Sequence, residues 1–224
     1  MTFSISGRCE KTGVMGIAIS SSSPAVAARC AHAMAGAGVV ASQNITDPAL
    51  GQGGLLLMAE GYSAEDTLAR LLDGYEFAPF RQLAIIDHNG GTAAYSGEKA
   101  LGVFSTSEGR NCVAAGNLLA SADVPEKMVR AFEASTGYLA DRLIVAMQAA
   151  VAAGGEAGPV HSAGMLVVDK VSWPVADLRV DWHETDPIGA LADLWALYKP
   201  QLNAYVTRAL DPTAAPSYGV PGDE

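Results

Sequence analysis

Thr2-Phe3-Ser4-Ile5-Ser6-Gly7-Arg8 alternates: Phe3 and Ile5 fall on one face, Thr2, Ser4, Ser6 and Arg8 on the other. Side chains of an extended chain point alternately to opposite faces, so the pattern predicts a half-buried strand beginning at residue 2. Glu10-Lys11-Thr12-Gly13 reads as a turn, after which Met15, Ile17 and Ile19 repeat the alternation, with the small residues Gly16, Ala18 and Ser20 on the opposite side. A hairpin is the simplest arrangement, and its small face lets another element come close.

Outward from this hairpin, Ser23-Pro24 signals a helix start, which predicts a short helix from Ala25 to Met34 ending near Gly36. Gly38 to Thr46 returns as a strand, and Asp47-Pro48 turns the chain. Leu50 to Ala59 and Ser63 to Leu72 read as helices, with Gly51-Gln52-Gly53-Gly54 as a helix-entry loop and Ser63 as a cap. Leu83 to Asp87 and Thr92 to Tyr95 flank His88-Asn89-Gly90-Gly91, a hairpin signal. Asn111 to Ala115 is a further strand, ending at Gly116-Asn117-Leu118.

Helices are expected over Val124 to Ala134 and Tyr138 to Ala153, the second stopped by Gly154-Gly155. Strands follow at Ala163 to Asp169 and Asp177 to Trp182, then a terminal helix from Pro187 to Tyr198. Hairpins dominate and strands do not alternate regularly with helices, which argues against a doubly wound parallel sheet. Two mainly antiparallel sheets between helical layers bury every apolar face, an α+β arrangement in one domain over residues 1–210. A Pro-, Ala- and Gly-rich acidic tail, expected to be flexible, covers 211–224.

The bulk numbers narrow the function. Half of the 224 residues are hydrophobic and only 17% are charged, enough apolar content for a substantial core. Fourteen basic against 24 acidic residues give a net charge of -10, which repels phosphates and speaks against nucleic-acid or anionic-membrane partners. Cys9, Cys30 and Cys112 are odd in number and widely spaced, so they form no disulfide framework. With no signal-peptide pattern and no long apolar run, a cytoplasmic location is expected.

Thr2 is the residue with chemistry in reach. Methionine is normally trimmed before a small residue, which exposes the threonine α-amine. That amine has a reference pKa of ~7.7–8.0 and can act as base for its own hydroxyl. No metal or cofactor is required.

Met-Thr-Phe-Ser-Ile, the small-residue second strand, Gly38 to Asn44, Gly116-Asn117-Leu118-Leu119, Ser162-Ala163 before a Val-Val strand, and Asp177-Leu178-Arg179-Val180-Asp181 follow one another in a telling order. No single motif is specific, but the ordered set is. Across residues 2 to 199 the chain resembles the bacterial Ntn-hydrolase-like family catalogued as domain of unknown function 1028. The resemblance implies the four-layer αββα sandwich of N-terminal nucleophile hydrolases, enzymes that cleave amide bonds.

An amide-cleaving site needs donors for a tetrahedral oxyanion. Asn117, at a strand end beside Gly116, is the first choice, through its side chain or nearby backbone N–H groups. Ser42, Gln43 and Asn44 cluster where a strand leaves the core and are expected to line a substrate pocket; Ser20 is placed to touch the Thr2 amine. The loops Asp47 to Gly54 and Ser105 to Arg110 are expected to shape that pocket. Asp181, His183, Glu184 and Asp186 lack the spacing of a metal site and read as a solvated acidic loop. The expected function is therefore hydrolysis of a small amide or cyclic amide in a homo-oligomer, with Thr2 and Asn117 catalytic. The alternative is a non-catalytic Ntn-fold protein that binds or assembles.

Overall fold

The computed structural model describes residues 1–222. Its elements run β1 (Thr2–Arg8), β2 (Met15–Ser21), α1 (Ala27–Cys30), β3 (Ala31–Met34), β4 (Gly38–Asn44), α2 (Pro48–Ala59), α3 (Ala64–Leu72), β5 (Arg81–Asp87), β6 (Thr92–Ser96), β7 (Ser105–Gly109), β8 (Cys112–Asn117), α4 (Val124–Ala134), α5 (Leu139–Ala152), β9 (Ser162–Val168), β10 (Ala176–Val180), α6 (Pro187–Tyr198) and α7 (Leu202–Leu210). Six strands form one sheet in the order β10-β9-β2-β1-β8-β7, and four form a second in the order β3-β4-β5-β6. All of the strand pairings are antiparallel.

Side-chain alternation assigns the layers. Phe3 and Ile5 of β1 pack with Ala18 of β2 against Val124, Met128 and Phe132 of α4 and Leu143 and Met147 of α5. Leu178 of β10 and Trp195 of α6 join the same cluster. On the other face of that sheet Met15, Ile17, Val113 and Ala115 meet Val39, Ala41, Ala84 and Ile86 of the second sheet. The outer face of the second sheet, through Val40, Ile85 and Ala93, is covered by Leu55 and Met58 of α2 and Ala64 of α3. The result is the four-layer αββα sandwich. β1 lies in its middle, flanked by β2 and β8.

The turns carry their expected chemistry. Gly13 takes φ +78°, a left-handed conformation in the β1–β2 turn that a residue with a Cβ adopts at a cost. Asp87 closes the Asn-Gly turn by accepting from the backbone N–H of Asn89 and Gly91 at 2.9 and 3.0 Å. Its second oxygen accepts from Ala64 N in the first turn of α3, at 2.9 Å.

Four segments differ from expectation. The helix predicted over Ala25 to Met34 lasts only from Ala27 to Cys30, because Ala31–Met34 pairs with β4 as an edge strand. Ser105–Gly109 is an edge strand on β8 rather than a loop. A further helix, Leu202–Leu210, follows the expected last one and buries Leu202. Gly51 to Gly54 lie inside α2, whose N-terminus is capped by Asp47 accepting from Ala49 N.

Those helix-interior glycines have a packing reason. A Cβ on Gly51 would stand 2.1 Å from Cδ2 of His32 on β3, and one on Gly54 3.0 Å from Val40 on β4. The helix therefore lies directly on the sheet. Beyond α7, Arg208 donates to the carbonyl of Pro216 at 2.8 Å and lies 3.7 Å from the ring centre of Tyr218. Residues 223–224 of the expected tail lie outside the described residues. No helix among the described residues is long and apolar enough to cross a membrane.

Alanine at an exposed helical glycine gains about 1 kcal/mol of propensity. At Gly51 the sign should reverse, because overpacking costs about 1–3 kcal/mol. Chemical denaturation of Gly51→Ala should therefore show a lowered midpoint; a raised one would mean that the His32 ring swings away freely.

Candidate active site at the head of the central strand

The non-apolar face of β1 does not meet water. Thr2 is only 5% exposed, and Ser4 and Ser6 are buried between the sheets. Polar groups there must find partners inside the protein or cost about 1–3 kcal/mol each. Ser4 Oγ donates to Gln43 Oε1 at 2.8 Å, and Gln43 Nε2 donates to Gln82 Oε1 at 2.8 Å. Asn117 Nδ2 donates to the same Gln82 oxygen at 3.0 Å. Gln82 Nε2 is shared between Ser96 Oγ and the carbonyl of Gly116, both at 2.9 Å.

Gln82 thereby fixes its neighbours. Its Nε2 is committed to a backbone carbonyl, so its oxygen faces the other two amides, which must present N–H groups. Asn117 Oδ1 is left buried without a hydrogen-bond partner. Asn117 stands opposite Thr2 in the β1–β8 ladder. Leu118, next along, takes φ +51°, a left-handed conformation costly for leucine, and turns the chain out of the sheet.

On the other flank of Thr2 is Ser21, not Ser20. The register pairs Phe3 with Ser20, which puts Ser20 on the helix-facing side, where its hydroxyl donates to the Ser162 carbonyl at 2.8 Å. Ser21 shares the Thr2 face, with the two hydroxyl oxygens 3.5 Å apart. Thr2 Oγ1 and Ser21 Oγ both donate to the carbonyl oxygen of Met1. That carbonyl belongs to the peptide bond joining Met1 to Thr2, and two hydroxyls converge on it.

Glu156 completes the surroundings. It follows α5 and forms an isolated bridge with Leu119, while Ala157 N donates to the Leu118 carbonyl at 2.9 Å. Its Oε1 accepts from Ser22 N at 3.2 Å; its Oε2 is buried and without a partner. Burial pushes its carboxyl up to about 7, against the pull of the positive chain terminus at Met1 and the Ser22 N–H.

Of the residues expected from the sequence, Thr2, Asn117 and Gln43 belong to this cluster; Ser20, Ser42 and Asn44 point elsewhere. Ser42 donates to the Asp47 carbonyl at 2.8 Å, and Asn44 ties Phe80 O to Leu101 N at 2.6 and 3.2 Å. The backbone N–H groups beyond Asn117 are taken: Leu118 N by Leu101 O and Leu119 N by Val103 O, each at 2.9 Å. Ser21, Gln82 and Glu156 were missed. The alternation of the hairpin held the signal for Ser21, one residue of register away; Glu156, alone in Gly154-Gly155-Glu156-Ala157-Gly158, carried only a weak one.

Other groups have local roles. His183 Nδ1 accepts from Asp186 N at 2.9 Å, and Asp186 caps α6 by accepting from Gly189 N at 2.8 Å. No group of three or more potential metal ligands occurs among the described residues. A cavity of about 460 Å³ lined by Arg8, Glu10, Arg110, Asn111, Glu133 and Arg142 lies at the far end of β1. Six residues of strand put it about 20 Å from Thr2.

An αββα sandwich with a buried threonine heading a central strand, and a polar seam behind it, is the class of protein that emerges. The chain belongs to the family described as a family of unknown function, DUF1028, whose model matches residues 2–191. A crystal structure of a protein of that family from Silicibacter pomeroyi is similar at 31% identity and a TM-score of 0.83, over 88% of this chain and 89% of that one. Anbu (ancestral beta-subunit) from Yersinia bercovieri matches at 10% identity and a TM-score of 0.37, over 91% and 97% of the two chains. The Gly-1 mutant of Anbu from Hyphomicrobium sp. strain MC1 gives 10% identity and 0.38 over the same shares. No curated protein matches.

The raised carboxyl of Glu156 has a consequence for stability. The folded protein holds this proton up to about pH 7, whereas the unfolded chain releases it near 4.5. The stabilisation is complete below the lower value and lost as pH rises through the upper one. Glu156→Gln removes that loss. Relative to the wild type it should gain on the order of 3 kcal/mol between pH 4.5 and 8, read by denaturation at both. A constant difference between the two proteins would contradict the assignment.

Proposed function

We propose that this protein is an N-terminal nucleophile amidohydrolase acting on a small amide or cyclic amide. One observation carries the reading: the Thr2 hydroxyl lies against the carbonyl of the preceding peptide, with a second hydroxyl, Ser21, on the same oxygen. Cleavage of the Met1–Thr2 bond turns Thr2 N into a free α-amine, the base the hydroxyl needs. Thr2 Oγ1 then attacks the substrate carbonyl. The hydroxyl proton passes to the α-amine and on to the departing amine, and water releases the acyl group by the reverse route.

Ser21 Oγ supplies the oxyanion donor, together with the remaining Nδ2 hydrogen of Asn117. The unpartnered Asn117 Oδ1 offers an acceptor on the side of Thr2. Gln43 and Gln82 hold Asn117 in place from the second sheet. Of the residues expected to line the pocket, Ser42 and Asn44 support it by fixing the chain around Asp47 and Phe80. Ser20 braces β9. The reading includes self-association, supported by Leu197 and Leu210, which are 70% and 64% exposed.

A second reading draws on the same peptide. Met1 is half-buried and its carbonyl is held, so a retained Met1 would leave a folded binding or assembly protein without a free threonine amine.

The intact mass of protein from its own host should correspond to loss of methionine; a retained residue favours the second reading. In processed protein, Thr2→Ala should lower ammonia release from an amide panel by at least about 10³-fold, and undiminished turnover would sink the mechanism. Light scattering should return a multiple of 23.0 kDa.

A further inference from the structure

The far end of β1 holds positive charge that the protein does not neutralise. Arg8 closes the strand, and with Arg142 of α5 it lines the cavity of about 460 Å³ that Glu10, Arg110, Asn111 and Glu133 complete. Arg110 is paired, since its Nη2 donates to both oxygens of Glu10 at 2.8 Å. Arg8 and Arg142, both half-buried, have neutral partners instead. Arg8 Nε donates to the His88 carbonyl at 2.7 Å, and its Nη1 to Asn111 Oδ1 at 3.3 Å. Arg142 Nη2 donates to the Phe132 carbonyl at 3.1 Å, and its guanidinium carbon lies 3.9 Å from the centre of the Phe132 ring. Neither arginine forms an ion pair among the described residues.

These contacts fix the two guanidiniums without cancelling their charge. Each keeps a terminal nitrogen, Nη2 of Arg8 and Nη1 of Arg142, whose two N–H groups no protein acceptor takes. Arg142 Nε is buried without a partner as well, so this side chain bears a desolvation cost that its neighbours do not offset. The fold makes room for the arrangement. A Cβ on Gly90 would stand 2.2 Å from Asn111 Oδ1, so the Asn-Gly turn admits the amide that holds Arg8 only because glycine is there.

Charge selects the ligand. Glu10 is engaged by Arg110, and Glu133, exposed on the rim, gives Oε1 to the backbone N–H of Arg110 at 2.7 Å. Two guanidiniums against that one carboxylate leave the cavity positive, in a chain of net charge -10. A single negative charge balances it. A phosphate, carrying about -1.5 to -2 at pH 7, exceeds the balance and is repelled by Glu133. A carboxylate presents two coplanar oxygens to guanidinium N–H groups, the geometry arginine recognises best. The volume exceeds what a bare ion fills and leaves space for an organic body.

We propose that this cavity is a second ligand site, in which Arg8 and Arg142 hold a small organic monocarboxylate about 20 Å from Thr2. The site stands whether or not Thr2 is a nucleophile.

Isothermal titration of the full chain at neutral pH tests it, with sodium benzoate, sodium acetate and sodium phosphate each set against sodium chloride of matched ionic strength. Benzoate should bind saturably and more tightly than acetate, with phosphate weakest. Arg8→Gln and Arg142→Gln should each weaken benzoate by about tenfold or more, the usual scale of a charge-assisted hydrogen bond. Glu133→Gln, which keeps an acceptor for Arg110 N, should instead tighten benzoate severalfold, a gain that damaged folding does not produce. No saturable binding of either carboxylate, phosphate bound more tightly than benzoate, or an affinity that neither arginine variant lowers would overturn the proposal. Should the arginine variants fail to fold, Glu133→Gln decides alone, and an unchanged or weakened benzoate affinity refutes the site.

Discussion

A strand in the middle of a four-layer sandwich has no solvent face, and β1 lives under that constraint. Its apolar side chains, Phe3 and Ile5, are spent on the helices. Its hydroxyl-bearing side points at a second sheet, so the partners for Ser4 must come from β4 and β5. Gln43 and Gln82 are the response, two long amides opposite one another in the ladder of the second sheet. The seam is not fully satisfied, since Ser6 Oγ, farther along, has no partner and keeps the desolvation cost of a lone hydroxyl. Where the seam is satisfied, it holds the end of β8 and so the side chain facing Thr2.

Much of this was legible in the sequence. The hairpin, the Asn-Gly turn and the helices Val124–Ala134 and Pro187–Tyr198 follow from side-chain periods and turn residues, which are local properties. What failed depended on neighbours. Ala31–Met34 is small and weakly patterned, and only pairing with β4 makes it a strand. Ser105–Gly109 has no apolar alternation, because an edge strand held by β8 does not need one. The helix expected over Leu50 to Ala59 is present; what differs is that Gly51 to Gly54, read as its entry loop, lie inside it, for which the His32 ring beneath Gly51 gives the reason.

The candidate site shows the same division more sharply. Thr2 and Asn117 were readable as a strand start and a strand end, but that they face each other is a fact of register. Register also decided between Ser20 and Ser21, since a shift of one residue moves a side chain to the opposite face. Ser42 and Asn44 were drawn in by sequence proximity to Gln43. Alternation places Gln43 between the sheets, and the other two side chains hold turns outside the cluster. Glu156 arrives from a loop more than 130 residues away from its Ser22 partner, a distance no local pattern spans.

Met1 connects these parts. Burying Glu156 is unfavourable in isolation, and burial holds its carboxyl raised against the weaker pull of the positive chain terminus at Met1 and the Ser22 N–H. Met1 itself covers the threonine hydroxyl and occupies both hydroxyl donors of the site. Removing it would leave the Ser21 and Thr2 hydroxyls without their common acceptor and turn Thr2 N into a free amine.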